Sequence, residues 1–188
     1  MSLFRKRPPV RQPGPPLLHR PWHVPETEFP GIVPIRTLPF DPSDRAAVAI
    51  VGMTAYTTGF EFSVARRIRP GIPGLDQGPA PEIFRRDFNG PPSFQLSLQL
   101  SDGRTVVDGR PSGDAEPAGP ILMPRGGGGT SHSQLQRWWA WPLPPSGPLD
   151  VICQWPAYGI SETRVRIDAQ LILDAARQSI PLWPQDGA

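Results

Sequence analysis

From Arg45 onward the chain is dominated by short runs in which apolar and polar residues alternate with a period of two, the signature of half-buried β-strands. Arg45–Tyr56 is β-branched and almost free of charge, as a central strand would be. After a Thr57-Thr58-Gly59 turn, Phe60–Arg67 alternates and places Phe60, Phe62 and Val64 on one face, which predicts a first hairpin. Phe94–Leu100 sets four apolar residues against three polar ones. It runs into an Asp102-Gly103 turn, and Thr105–Asp108 returns. Residues 69–92 hold proline and glycine throughout and read as loop, with one short helical turn expected at Glu82–Asp87.

The segment Arg137–Trp155 carries four of the six tryptophans and the only cysteine. It reads as two strands folding back on each other through a proline-rich turn. Alternation puts Trp139 and Trp141 on one face of the first strand and Trp138 and Ala140 on the other. On the second strand Leu149, Val151, Cys153 and Trp155 share a face. Trp139, Trp141 and Trp155 are expected in the core, with Trp138 as the outward exception, packed against another element such as the arm. Glu162–Asp168 predicts a strand with one wet face, after which Asp168 caps a short helix, Ala169–Ser179. Leu171, Ile172, Ala175 and Ala176 form its apolar stripe. Leu182 and Trp183 are expected to fold back.

Seven such strands and a single helix predict an all-β fold, a mainly antiparallel β-sandwich that is immunoglobulin-like in shape, with one short C-terminal helix and a Pro-rich N-terminal arm. The body is assigned to 45–188, with a flexible Gly/Pro-rich insertion at 109–133. Residues 1–44 contain eleven prolines and form a basic, extended arm. Its later part, 22–42, is apolar enough (Trp22, Phe29, Ile32, Val33, Ile35, Leu38, Phe40) that lying along the body and serving as a free linker are both open to it.

Charge sharpens this division. The net charge of +2 hides a basic stretch, residues 1–23, in which Arg5, Lys6, Arg7, Arg11 and Arg20 stand without an acid, while residues 24–188 are net negative. Nucleic acid is therefore not the expected partner: five charges dispersed over the arm make a weak footprint for a polyanion. No apolar run approaches the length of a membrane helix, no signal-peptide pattern follows the N-terminal charges, and one cysteine allows no intrachain disulfide; these features point to the cytoplasm.

Candidate chemistry is sparse. Gly126–Gly129 followed by Thr130-Ser131 lacks the lysine of a phosphate-binding loop. Ser131 and His132 are neighbours in a loop with no placed acid, and the three histidines are too scattered for a metal site. Cys153 falls on an apolar strand face, where a thiol serves as a small hydrophobe. An enzyme would need carboxylates such as Asp41, Asp44, Asp87 or Asp102 to converge. Pro13–Pro16 fits the P-x-x-P pattern of docking segments, which arises by chance in so proline-rich a chain.

Thr58-Gly-Phe-Glu-Phe, Arg137-Trp-Trp-Ala-Trp-Pro-Leu-Pro-Pro, Cys153-Gln-Trp-Pro and Glu162-Thr-Arg-Val together resemble a group of uncharacterised actinobacterial proteins, and the near-exclusive use of arginine over lysine agrees with a high-GC genome. The resemblance spans roughly 45–184; it implies a shared fold and transfers no site residue. The expected function is that of a non-enzymatic, cytoplasmic β-sandwich that binds another protein, with no cofactor. Trp138 and the arm's Arg5, Lys6, Arg7 and Arg11 are the contact candidates, and the arm or the 109–133 segment is the contact region. The alternative is a small-ligand or carbohydrate-binding module using exposed aromatics.

Overall fold

The computed structural model describes residues 20–71, 94–109 and 117–183. The expected turn of helix at Glu82–Asp87 and the basic residues Arg5, Lys6, Arg7 and Arg11 lie outside them. Two antiparallel sheets face each other. The larger is built on β4 (Ala46–Ala55), β5 (Phe60–Ile68), β9 (Ser133–Trp141) and β8 (Ile121–Thr130), side by side in that order. The short strands β2 (Gly31–Ile32) and β3 (Leu38–Pro39) both pair with β4. The smaller sheet has the order β11 (Ile160–Asp168), β10 (Pro148–Trp155), β6 (Gln95–Gln99), β7 (Thr105–Val107). A ribbon of β1 (Glu28–Phe29) and β12 (Ile180–Pro181) completes the strands.

The core is the inward set of each alternation. Val48, Ile50, Phe60, Phe62 and Val64 from the larger sheet meet Leu96, Leu98, Leu149, Val151 and Cys153 from the smaller one. Burying these apolar side chains is what holds two twisted sheets face to face. Helix α1 (Ala169–Ala176) starts as expected, with the Asp168 carboxylate accepting from the Gln170 amide at 2.9 Å. It is one turn shorter than expected, because Ser179 turns back and donates to the Ala176 carbonyl at 2.9 Å. Ala169, Ile172, Ala175 and Ala176 join the core. Leu182 does fold back, its amide donating to Thr27 at 2.8 Å, whereas Trp183 stays 64% exposed.

Three expectations are corrected. The two tryptophan-segment strands are not a hairpin: β9 lies in the larger sheet between β5 and β8, and β10 lies in the smaller one between β6 and β11. Alternation is satisfied by either arrangement. The residues between them, 142–147, cross the roughly 10 Å that separates packed sheets. The Leu143 amide donates to Thr58 at 3.1 Å and the Ser101 hydroxyl to Ser146 at 2.8 Å, so turns of both sheets hold the crossing.

The body does not begin at Arg45: of the two courses open to residues 22–42, packing along it is the one observed. Trp22, Val33 and Phe40 are buried, and Ser43 donates to the Tyr158 carbonyl at 2.6 Å while accepting from the Ala46 amide. The supposed insertion 109–133 is also structured where described, since 121–130 forms β8 and turns tightly into β9. Its glycines report close approach rather than looseness: a Cβ on Gly129 would sit 1.9 Å from the Ser133 carbonyl oxygen.

The same geometry recurs where the arm meets the helix. A Cβ on Gly31 would lie 1.8 Å from the Ala175 carbonyl oxygen, and backbone cannot yield there as a side chain would. Gly31→Ala is therefore expected to lose about 2–3 kcal/mol of stability by forcing α1 off β2, read as a lowered midpoint in urea unfolding. Gly52→Ala, where no atom lies within 4 Å of the added carbon, is the control for space alone.

Candidate functional site

Strand alternation divides β9 between two environments, with the opposite sense to that expected for Trp138. Trp138 and Ala140 point inward and belong to the core, and Trp138 is only 4% exposed. Trp139 points outward, yet it is fully buried. Its cover is the arm. The Trp139 indole N–H donates to the Trp22 carbonyl at 2.8 Å, and the Tyr56 ring stands edge-on to it at 5.6 Å. Trp141 on the same face is half-buried, with Trp22 edge-on at 6.5 Å. Gly59 leaves room for the Trp139 ring, which a Cβ there would meet at 2.7 Å. The outward exception on this strand is thus Trp139, and it is the residue that meets the arm.

Beside the arm's cover a cleft of about 520 Å³ opens on the outer face of the larger sheet, with Val24 of the arm in its lining. Glu61 projects into it because its neighbours Phe60 and Phe62 face the core. Arg137 reaches the same face one strand over. β8 supplies the third charge. Pro124 pairs with Trp138 and Gly127 with Gln136, so Arg125 and Gly126 together oppose the single residue Arg137. Arg125 stands two residues from Met123, which pairs with outward Trp139, so alternation sets it on the face that Arg137 occupies. The absence of a side chain at Gly126 leaves space for the Arg137 guanidinium, 3.2 Å from where a Cβ would be.

The electrostatics are unbalanced. Arg137 Nη1 lies 3.6 Å from Glu61 Oε1, and Glu61 is the more buried partner. Arg125 has no carboxylate within ion-pair distance among the described residues. Tyr56 lines the same cleft, and its hydroxyl is pushed above the usual phenol range, first by burial, then by the negative charges of Glu61 and Glu28, with Arg137 and Arg125 opposing. At neutral pH the cleft therefore offers two guanidinium groups, one carboxylate and a protonated phenol. That set can orient and neutralise an anion.

Other sequence candidates are placed apart from it. Ser131 Oγ and His132 Nδ1 are 3.0 Å apart, but they form the turn between β8 and β9, about 20 Å of strand from Arg125. Asp41 accepts from Thr163 Oγ1 at 3.0 Å on one side of the body, and Asp102 is paired with Arg104 in the β6–β7 turn. Asp87 lies outside the described residues. No group of three His, Cys, Asp or Glu side chains suited to a metal ion is found among the described residues. No helix among them is long and apolar enough to cross a membrane. The carboxylates also serve structure: Asp150 on the outer face of the smaller sheet is gripped by Arg166 through two bonds of 2.7 and 2.9 Å, which hold its carboxyl below the usual range.

The sequence reasoning passed over Tyr56, Glu61, Arg125 and Arg137. Alternation does carry part of the signal, since it sets Glu61 opposite Phe60 and Phe62 and sets Arg137 beside Trp139. The adjacency of β5 and β8 to β9 carries the rest, and it is not written in a local pattern. Comparison with known protein families, curated proteins and solved structures finds no match to this chain.

Cys153, expected in the core, is buried there, and burial pushes its thiol up to about 12. The native thiol should resist Ellman's reagent at pH 8 and react only after unfolding. Because the native value lies above the ordinary thiol value of 9.0, this group's contribution to stability is complete below about pH 9 and is lost as pH rises through about 12. Cys153→Ala, without a thiol, should lose the part of the alkaline destabilisation that belongs to this residue, measured as denaturation midpoints across that range.

Proposed function

We propose that this protein is a non-enzymatic binding module whose partner is another protein, taken as an extended segment along the free edge of β8. The observation that carries the reading is that edge. β9 occupies one side of β8, and on the other side the described residues offer only the Asp108 and Gly109 contacts to Leu122 at its start. From Arg125 to Thr130 the strand is solvent-exposed and mostly without side chains. Exposed backbone donors and acceptors in extended geometry are a template for one more strand. The edge lies within 109–133, one of the two contact regions that the sequence suggested.

The alternative, a carbohydrate module built on exposed rings, draws less support. Trp22, Trp138, Trp139 and Trp155 are buried, which leaves half-buried Trp141 and exposed Trp183 on separate elements.

Strand addition has a signature that needs no variant of the protein, because alternate amides of an added strand face the sheet. The full chain should enrich extended peptides from a random dodecapeptide library. N-methylation of one alternate set of amides in an enriched peptide should weaken binding by about ten-fold or more through lost hydrogen bonds. Methylation of the other set should leave binding in place. An unenriched library, or equal losses from both sets in calorimetric titration, would sink the reading.

A further inference from the structure

The β8 edge offers a partner little to read but backbone, so selectivity has to come from what flanks it. We propose that the Arg125–Arg137 cleft receives a carboxylate side chain of the docked segment, so that the partner is an extended acidic peptide; this rests on strand addition at β8. The position of Arg125 is the device. Alternation sets it on the outer face of the edge strand itself, next to where an added strand would run, and Arg137 stands one strand further in. A glutamate on the added strand, facing the cleft, would meet Arg125 first and reach toward Arg137.

The charges favour this occupant over others. Two guanidinium groups face one carboxylate, and Glu61 is already engaged by Arg137 at 3.6 Å. An incoming carboxylate completes the neutralisation that Glu61 begins. Tyr56, held protonated, adds a hydroxyl donor in the same cleft. A basic segment would set like charges together, and a neutral one would leave Arg125 facing an apolar or uncharged group. A second copy of this chain fits poorly too, since pairing β8 with itself would line two sets of these guanidinium groups along one joined edge.

The test uses two synthetic peptides and the full chain. Each peptide is seven residues long, acetylated and amidated, alternating threonine and valine around one central residue, glutamate in the first and glutamine in the second. In fluorescence-polarisation titrations at low salt, the glutamate peptide should bind about ten-fold more tightly than the glutamine peptide. That preference should fall away in Arg125→Gln and should shrink as salt is raised. Arg125 makes no ion pair among the described residues, so its variant should unfold at the wild-type temperature. Equal binding of both peptides, or a preference that survives in Arg125→Gln, overturns the carboxylate assignment while strand addition stands. If neither peptide binds, strand addition at β8 falls and the assignment falls with it. A micromolar dimer in sedimentation that neither peptide dissociates would give the edge to a second copy and overturn the proposal.

Discussion

The end of β9, Trp138–Trp141, is apolar on both of its faces, and that single constraint organises the molecule. Trp138 on one side requires a second sheet, and Trp139 on the other requires a cover that no sheet supplies. Each indole removes on the order of 200 Å² from water when buried, so leaving either face open would forgo a large share of the stabilisation available to a domain of this size. The smaller sheet answers the first demand. The arm answers the second, bringing Trp22 onto Trp139 and satisfying the indole N–H with a backbone carbonyl at 2.8 Å. What reads in sequence as a proline-rich leader is, from residue 20, part of the fold. The candidate cleft lies beside that cover, with Val24 of the arm in its lining.

The crossing between β9 and β10 makes the two faces interdependent. Prolines at 142, 144, 145 and 148 deny the backbone donors that a hairpin ladder would need, and two hydrogen bonds tie the crossing to turns of opposite sheets. Hence the chain cannot complete one sheet without placing the start of the other. The Arg66 guanidinium at the far end of the sandwich is consistent with this tight closure. It lies within the layer over the Phe94 and Trp155 rings, at 4.5 and 5.5 Å, and desolvation lowers its pKa to about 10.

Much of the fold was legible in the sequence, and the reasons for success and failure are physical. The β4–β5 and β6–β7 hairpins, the inward faces of β10 and β11 and the Asp168 cap all follow from local period and turn chemistry, which short-range sterics enforce. Trp138 and Trp139 were correctly placed on opposite faces, but which face was inward depends on the partner strands. The β9–β10 relation failed for the same reason: alternation specifies that a strand has two faces and is silent on which sheet it joins. The glycine run of β8 misled because a residue without a side chain carries no alternation, although its close approach to β9 demands glycine. The candidate site inherits these limits. Glu61 was readable as an outward residue, whereas Arg137 shares the face of Trp139 that the sequence assigned to the core, and Arg125 joins them only because β8 lies beside β9.

That glycine run has a consequence beyond recognition. Proteins ordinarily guard an exposed strand edge by placing lysines or other charged side chains along it. Gly127 and Gly129 have no room for even a Cβ, since one would meet the Leu135 carbonyl oxygen at 2.5 Å and the other that of Ser133 at 1.9 Å. Substitution cannot therefore armour these two positions without pushing β8 away from β9. The remaining guards are Arg125, Pro124 and the bulge beside them, all at the beginning of the run. Among the described residues nothing lies against the edge from Gly127 to Gly129, so solubility at high concentration depends on whether that position is filled.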